Sequence, residues 1–465
     1  MSLLIPGTNS IKDTGYSVAN SLRFDSGSSD RLTRTFGSGG NSALWTWSGW
    51  IKRSKLGSRQ SIFTAYSDSS NVTRMEFTAN DELKFNDENS GNTNGRIVST
   101  AIFRDVASWY HIVFHWDSSD STSGDRLRMY VNNVRVTDFS DEGNAPSTTS
   151  RLNTAMSHEL GSENNGTFFE GYMAEVVFIN GANLDPDQFG EYNSDSPTIW
   201  QPKDVSGLTF GTTGFHLDFE DSSALGNDVS GNNNDWTVSN LTSVDQSTDT
   251  CTNNFATLSP LTFSEGTLSE GNLEIDHNGS AGKFCASTFE VSQGKWYFEA
   301  KLLNYSSSSR PGIGIAQSHN SFRGGIYANT NYALFLPESS AYESNSAHSV
   351  SGIGVSPATN DIFMFAIDLD NLKFYAGKNG SWFSSQDPSA GSNGYTIAVS
   401  DSYAIATGAN DTSSNSARTN DWQFNFGSPM YSITSSNQDP NNYGSFEYST
   451  EGFYALNSKN LAEFG

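Results

Sequence analysis

Apolar residues recur at every second position in many short stretches of this chain, and the clearest example is the segment 361–382. Apolar residues with this spacing occur on both of its arms: Phe363, Phe365, Ile367, Leu372, Phe374 and Ala376. The mostly polar residues 368–371 separate the arms, and a second turn follows at 378–380. Period-two burial on both sides of a tight turn predicts a β-hairpin.

The N-terminal half contains a series of similar segments. Trp45 and Trp47 alternate in one of them, so both side chains should face the same core. Other segments with strand character are 21–24, 61–66, 75–77, 82–85, 109–116, 126–131, 134–136 and 171–179. Asp185 followed by Pro186 predicts one short helix or 3₁₀ turn. No sustained helical stripe occurs, so the predicted fold class is all-β.

The composition agrees with this fold class. The chain has 465 residues, enough for two or three domains that each have their own core. Glycine is abundant at 42 residues, proline is limited to 12, and aromatic residues reach 13%. This mixture is typical of many short strands joined by tight turns.

The net charge of −25 limits the possible partners. A surface this acidic repels phosphate backbones, so we expect no nucleic-acid binding. The charge keeps the protein soluble, and it could also attract divalent cations.

Cys251 and Cys285 cannot make a disulfide framework, and we expect two free thiols. The N-terminal residues 1–13 lack a basic region and a long apolar run, so no signal peptide is expected. No segment is long enough to span a membrane, and we expect no membrane insertion. Cell lysis is the expected route of release.

Two parts of the chain resemble known β-sandwich domains. The segments 45–51, 109–114, 127–133 and 171–176, before the small helix, resemble a laminin G or concanavalin A-like jelly roll over about 21–200. The hairpin at 361–382, together with 294–300 and 311–316, resembles a SPRY domain. The resemblances imply an all-β fold of tandem β-sandwiches, a laminin G/concanavalin A-like jelly roll followed by a SPRY-like sandwich.

The predicted organisation has five parts, whose boundaries follow from these segments. They are an N-terminal arm at 1–20, expected to attach the protein, the jelly roll at 21–204, a bridging segment at 205–260, the SPRY-like sandwich at 261–431, and a tail at 432–465 packed on the second sandwich. The sequence does not decide which of the two sandwiches receives strands from the bridging segment.

The order of blocks along almost the whole chain resembles marine tailed-phage virion proteins. The blocks are LIPGTNS, WTWSGWIKRS, LGNDVSGNNNDWT, TNNFATLSPL, GKWYFEA, FNFGSPM and GFYAL. The resemblance implies a location on a virus particle, made in the host cytoplasm, with other virion proteins as partners. We expect a homo-oligomer, since many weak copies presented together multiply modest binding.

One loop has the residue types of a calcium site. Asp228, Ser230, Asn232 and Asp235 place oxygen atoms at near-alternate positions around a turn glycine, Gly231. Calcium prefers six or more such oxygens, and Asp218 or Asp221 could add to them. Asx-rich turns satisfy their own backbone with the same residues, so both interpretations stay open.

No catalytic constellation is found, and we expect a protein that is not an enzyme. Glu274 and Asp276 resemble two thirds of the Glu-x-Asp-x-x-Glu strand of laminarinase-type glycosidases, but the residues that follow, 277–280, contain no second glutamate. A retaining glycosidase needs both carboxylates. His111 and His115 have i,i+4 spacing on a probable strand, which separates them, so both are expected to be structural.

Aromatic and arginine side chains between strands of the second sandwich are candidates for binding sugars. They are Tyr305, Arg310, Phe322, Arg323, Tyr327 and Tyr342. Aromatic rings beside arginine suit saccharide rings and hydroxyls, although aromatics also pack under loops.

The function expected from these features is that of a non-enzymatic structural protein exposed on a phage virion, of the tail fibre or appendage type. It would bind host-surface polysaccharide or neighbouring virion subunits. The first alternative is a capsid or tail decoration protein without a receptor role. The second is a polysaccharide depolymerase, which would need a pair of catalytic carboxylates.

Overall fold

The computed structural model describes residues 15–143, 146–263, 266–276, 283–304, 311–317, 331–337, 341–344, 349–399, 401–409, 421–449 and 452–465. The chain divides into two compact units. The first comprises Asp13–Thr252 and the second includes Asn253–Gly465.

The first unit consists of two large antiparallel sheets and a two-stranded ribbon. Its strands are β1 (Ser21–Phe24), β2 (Arg31–Thr35), β3 (Leu44–Arg53), β4 (Gln60–Asp68), β5 (Asn71–Phe77), β6 (Glu82–Asn89), β7 (Asn92–Ile102), β8 (Trp109–Asp117), β9 (Leu127–Val131), β10 (Val134–Arg135), β11 (Phe139–Gly143), β12 (Ser157–Leu160), β13 (Gly171–Asn180), β14 (Gly190–Tyr192), β15 (Trp200–Pro202), β16 (Phe215–Leu217), β17 (Thr237–Ser239) and β18 (Gln246–Ser247). Sheet A has the order β10-β9-β8-β3-β13-β1-β18, with β16 also paired to β13. Sheet B has the order β11-β7-β6-β5-β4-β12-β2-β17, and β14 pairs with β15.

The second unit is also built from two large sheets. Its elements are β19 (Thr267–Ser269), β20 (Glu274–Asp276), β21 (Lys283–Val291), β22 (Lys295–Asn304), β23 (Pro311–Ala316), β24 (Tyr332–Leu336), β25 (Ala341–Ser344), β26 (Ser349–Val350), β27 (Ile362–Asp368), β28 (Lys373–Lys378), β29 (Ser381–Trp382), β30 (Tyr395–Thr396), β31 (Tyr403–Ala409), β32 (Asp421–Asn425), β33 (Asn437–Gln438), β34 (Ser445–Phe446), β35 (Tyr454–Ala455) and the helix α1 (Ser458–Phe464). Sheet C has the order β19-β20-β32-β22-β27-β28-β29, with β30 on β28 and β35 on β22. Sheet D has the order β21-β31-β23-β24-β25-β26.

Aromatic side chains fill the core between sheets A and B. Trp45 and Trp47 are both fully buried there, as their alternation predicted. The Trp45 ring stacks on Trp116 with a centroid distance of 6.1 Å and packs against Phe178 at 5.8 Å. Each large ring that is fully buried removes a large apolar area from water, so this cluster is a main source of stability.

The hairpin predicted over 361–382 is confirmed. β27 and β28 pair antiparallel from Phe363 opposite Lys378 to Asp368 opposite Lys373. The Asp368 carboxylate accepts hydrogen bonds from the backbone and side chain of Asn371, which stabilise the turn. Phe365 of β27 packs against Phe298 of β22 at 4.8 Å, so the inward face of the hairpin belongs to the core.

The all-β prediction is confirmed, and its only described α-helix is α1. Residues 186–188 form the short 3₁₀ turn that Asp185 and Pro186 predicted. The segment predicted to bridge the sandwiches is divided between them: β16, β17 and β18 join the sheets of the first unit, whereas Phe255 lies in a core cluster of the second. Cys251 and Cys285 are both free thiols. No helix in the described ranges has the length and apolar character to cross a bilayer.

A buried carboxylate attaches the C-terminal segment to sheet C. Glu299 of β22 is fully buried and accepts backbone N–H bonds from Glu447 at 3.1 Å and Tyr448 at 2.8 Å. The Tyr297 hydroxyl donates to the same carboxylate. Burial raises the pKa of Glu299 from 4.5 to about 7, although these hydrogen bonds oppose the shift.

The raised pKa of Glu299 predicts a pH-dependent stability of the second unit. The folded state holds this proton more tightly than the unfolded chain, so the contribution is complete below pH 4.5 and lost as pH rises through about 7. We expect the free energy of unfolding of the wild type, relative to Glu299→Gln, to fall by roughly 3 kcal/mol across this window. Urea denaturation at a series of pH values measures this difference.

Glu447→Gln is the matched control for this experiment. Burial raises the pKa of Glu447, but hydrogen bonds from Thr434 and Ser435 outweigh it and lower the pKa overall. A lowered carboxyl pKa contributes stability that is lost only as pH falls through the folded-state value, so this control should keep the wild-type slope between pH 4.5 and 7. A slope unchanged by Glu299→Gln would show that the titrating group is elsewhere.

Candidate functional site

The outer face of sheet A carries a second set of aromatic residues. Trp50 of β3, Trp109 of β8 and Tyr172 of β13 form a buried cluster with Val18 and Ala174. These side chains point away from the core between the sheets because they occupy the alternate positions of their strands. A face of this kind has to be covered by other parts of the chain or used for binding.

Four rings lead from this buried cluster to the surface. Trp50 stacks on His111 at a centroid distance of 4.8 Å, and His111 stacks on Trp200 at 6.0 Å. Trp200 in turn meets the edge of Tyr192 at 5.0 Å. Trp50 and His111 are buried, Trp200 is half-buried, and Tyr192 is 47% exposed. We call these four residues the aromatic ladder.

His111 holds the ladder together through both ring nitrogens. Its Nδ1 accepts a hydrogen bond from the Trp200 indole N–H at 3.0 Å, which leaves Nε2 as the donor to the Ser48 hydroxyl at 2.8 Å. Burial lowers the pKa of His111 to about 3, so the ring is neutral at physiological pH. The tautomer that positions Trp200 is therefore fixed across the neutral pH range.

The ribbon of β14 and β15 presents the end of the ladder. Tyr192 lies directly opposite Trp200 in the antiparallel pair. A Cβ atom on Gly190 would lie only 2.5 Å from the Trp200 indole, so a glycine is needed where the ribbon crosses this ring. The buried Asn193 accepts N–H bonds from Asp195 and Ser196 at 2.9 Å, which fixes the turn between the strands.

The exposed end of the ladder has the chemistry of a saccharide platform. Tyr192 is exposed to solvent, and the exposed Glu191 precedes it on the same ribbon, where its carboxylate accepts from the buried Gln201 amide at 3.5 Å. Aromatic faces bind the apolar C–H faces of sugars, while carboxylate and amide groups bind their hydroxyls. The arrangement can bind a polar ring and contains no nucleophile with an activating base.

Five of the six predicted sugar-binding residues lie outside the described residues. They are Tyr305, Arg310, Phe322, Arg323 and Tyr327. The sixth, Tyr342, does not lie in a loop as expected. It is fully buried on β25, stacks on Tyr395 at 4.3 Å, and donates its hydroxyl to the Thr396 carbonyl at 3.0 Å. Its ring also stacks on Phe374 at 5.8 Å inside the sandwich, where it has no face for a ligand.

The loop with the proposed calcium ligands is closed by its own hydrogen bonds. Asp228 Oδ1 accepts the N–H groups of His216 and Ser230, and Oδ2 accepts the Asn234 N–H and the Ser230 hydroxyl. Asp235 accepts the Asp228 N–H at 2.9 Å. Asn232 turns its amide nitrogen toward the carbonyls of Gly211 and Gly214. These contacts favour the Asx-turn interpretation over calcium.

Glu274 and Asp276 lie on β20, where Asp276 is directly opposite Asp421 of β32. Burial and the hydrogen-bonded Asp276 raise the pKa of Asp421 to about 6, so this carboxyl group takes up a proton at mildly acidic pH. Direct contact is closer than the separation of about 5–5.5 Å that a retaining glycosidase uses. The pair therefore lacks the geometry of that reaction, although its two acidic groups do lie together.

His115 is also a buried structural histidine, and burial lowers its pKa to about 3. In the ranges that the structure describes, no three His, Cys, Asp or Glu side chains are grouped closely enough to hold a metal ion.

The aromatic ladder was not predicted from the sequence. Tyr192 and Trp200 are eight positions apart in a polar stretch, and only their pairing across the ribbon reveals them. The available signal was the pair of bulky aromatics on either side of the turn-forming residues Asn193 to Ser196.

One family model matches most of the first sandwich. Residues 25–187, about a third of the chain, match the family model of the concanavalin A-like lectin/glucanases superfamily. The ladder residues Trp50 and His111 lie inside this match, and Tyr192 and Trp200 follow it directly. A search of curated proteins gives no match.

Several solved structures are similar to parts of the chain. Domains LG4-5 of the mouse laminin alpha1 chain are 10% identical with a TM-score of 0.30, covering 88% of this chain and 90% of that one. The SPRY domain of human HERC1 is 10% identical with a TM-score of 0.27, covering 36% and 96%. A heptameric SAP-like pentraxin from Limulus polyphemus is 14% identical with a TM-score of 0.27, covering 37% and 80%. Scores this low carry no inference about ligands.

The ladder predicts different roles for its inner and outer residues. Trp200→Phe leaves the buried His111 Nδ1 without its donor, which should lower the free energy of unfolding by about 1–3 kcal/mol. Tyr192→Ala should lower it by less than about 1 kcal/mol, because half of that ring is already in water. Urea denaturation of the two variants tests this, and equal losses would contradict the assignment.

The closed hydrogen-bond pattern at Asp228 predicts that calcium does not change the thermal stability of the protein. We expect neither EDTA nor added CaCl₂ to change the Tm, since a bound ion would have to displace four hydrogen bonds to this carboxylate. Differential scanning calorimetry measures the effect. A calcium-dependent rise in Tm that Asp228→Asn abolishes would restore the calcium site.

Proposed function

We propose that this protein is a non-enzymatic binding protein on the surface of a phage virion, where it binds host-surface glycans. The observation that carries the proposal is the exposed Tyr192 at the end of the aromatic ladder. An exposed aromatic ring held by buried rings, with the exposed carboxylate of Glu191 at the preceding position, is a suitable recognition element for a sugar ring. The match of residues 25–187 to a lectin-type superfamily model supports the same ligand class.

A binding role fits the chemistry of the described residues better than catalysis does. The Asp276 and Asp421 carboxyl groups are hydrogen-bonded to each other, so they are too close to act from opposite sides of a glycosidic bond. Burial lowers the pKa values of His111, His115 and His158 to about 3 to 4, too low for general base catalysis at neutral pH.

The location on a virion rests on the resemblance of the ordered sequence blocks to marine tailed-phage proteins. On a particle, a shallow platform with modest affinity becomes effective because many copies engage one cell surface. Attachment through the N-terminal arm, an oligomeric state and release by lysis belong to the same proposal. A decoration protein without receptor role is the alternative.

Binding of the labelled full-length protein to intact host cells tests the glycan-binding role. We expect saturable binding that competing surface polysaccharide abolishes and that Tyr192→Ala reduces at least tenfold, since truncating an aromatic side chain that dominates a binding site costs about 2 kcal/mol or more. Val134→Ala is the control, because Val134 is another exposed apolar residue of the first unit, 64% accessible, on β10. It should bind like the wild type.

No binding, even by a multimerised form, would overturn the adhesin role and favour a decoration role. Antibody labelling of purified phage particles tests the location separately. Surface labelling together with absent cell binding identifies a decoration protein, whereas absent labelling contradicts the virion assignment.

A further inference from the structure

A lysine and an aspartate are buried together on the outer face of sheet A. Lys52 Nζ of β3 lies 2.7 Å from Asp249 Oδ2, in the segment that follows β18. The two side chains are only 1% and 2% exposed. A nitrogen at hydrogen-bond distance from one carboxyl oxygen lies about 3–3.5 Å from the carboxyl carbon, the range from which nucleophilic attack occurs.

The surroundings disfavour the charged forms of this pair. Lys52 Nζ lies over the Tyr172 ring at 5.6 Å, and Trp109 packs against Tyr172 at 6.3 Å. Burial lowers the pKa of Lys52, while the charges of Asp249 and Asp105 oppose the shift. Proton transfer from the ammonium to the carboxylate inside such a buried pair would give a neutral amine beside a carboxylic acid. These are the reactants of amide formation.

Asp249 is also held in place and polarised. Its Oδ1 accepts the Trp109 indole N–H at 3.2 Å. Its backbone is fixed by the Ser21 hydroxyl, which donates to the Asp249 carbonyl at 2.6 Å, and by its own N–H bond to Ser247 Oγ at 3.1 Å. The indole N–H points at the oxygen on which negative charge develops when the carboxyl carbon is attacked. Proximity, orientation and polarisation therefore occur together.

We propose that Lys52 and Asp249 form an intramolecular isopeptide bond. The Lys52 Nζ lone pair attacks Asp249 Cγ, the Nζ–Cγ bond forms, and the Cγ–Oδ2 bond breaks. The departing hydroxyl takes a proton from the nitrogen and leaves as water, so no oxidant, reductant or cofactor is consumed. The product is an amide that joins the central strand of sheet A to the segment after its edge strand.

Other close lysine–carboxylate pairs in the described residues lack this combination. Lys55 Nζ lies 3.0 Å from Glu170, but its side chain is 45% exposed to solvent. Lys378 Nζ lies 2.9 Å from Asp361 and is 24% exposed. The neighbouring buried pair Arg53–Asp81 has a guanidinium, which is not a nucleophile at any physiological pH. Reaction is therefore expected at Lys52 alone.

The intact mass of the denatured full-length protein tests the proposal. We expect the protein to be lighter than its sequence by one water molecule, about 18 Da. Tandem mass spectrometry of a digest should find one branched peptide that joins Lys52 to Asp249, with Lys55 and Glu170 unlinked. An intact mass equal to the sequence mass, in fresh and in long-incubated protein, overturns the proposal.

Two variants separate the isopeptide from other dehydrations. Lys52→Arg places a guanidinium beside Asp249, which can hydrogen-bond the carboxyl group but cannot form the amide, so this variant should show the full sequence mass. A water loss that persists in Lys52→Arg would place the dehydration elsewhere and contradict the bond. Trp109→Phe keeps the aromatic packing and removes the N–H donor, so it should form the linkage more slowly. The outcome does not depend on whether the protein binds glycans.

Discussion

The first unit depends on the alternation of side chains along β3. This strand lies at the centre of sheet A, between β8 and β13. Its odd positions, which include Trp45 and Trp47, fill the core between the two sheets. Its even positions, which include Trp50 and Lys52, begin the aromatic ladder and the buried lysine–aspartate pair. A slip of one residue in its pairing would exchange the two faces, so core, platform and buried pair share a single register.

Strand β13 also directs its apolar side chains into the core, although its pairing with β3 is interrupted by a bulge. A bulge at Glu175 and Val176 inserts one extra residue opposite Gly49, and Glu175 adopts a φ of +49°. Such a conformation costs roughly 1–2 kcal/mol for a residue with a side chain. The bulge lets Met173 and Val176 both point into the core, and the displaced Glu175 carboxylate pairs with His216 of β16 at 2.9 Å. The strain is offset because the bulge joins β16 to the sheet.

The sequence patterns were informative where structure follows from local alternation and failed where it follows from contacts between distant residues. The hairpin of β27 and β28 and the inward tryptophans of β3 required only period-two burial, and they could be predicted. Tyr342 looked like a loop residue because its strand has four residues between polar segments. The Asp228 loop has the composition of a cation site, but its partners at positions 211 to 216 decide its hydrogen bonding. The ladder joins residues from β3, β8, β14 and β15, a combination that no local pattern contains.

The covering of the outer face of sheet A explains why the site is so small. The segment after β13 buries most of this face, since Phe189, Val205 and Phe210 pack on Val177 and Ile179. The same segment forms the ribbon on which Tyr192 lies opposite Trp200, whose indole N–H donates to His111 of β8. Tyr192 therefore has a rigid support of buried rings without being buried itself. Little conformational entropy is lost when a ring held in this way binds a ligand, so even a shallow platform can contribute measurable affinity, and repetition of the platform on a particle would multiply it.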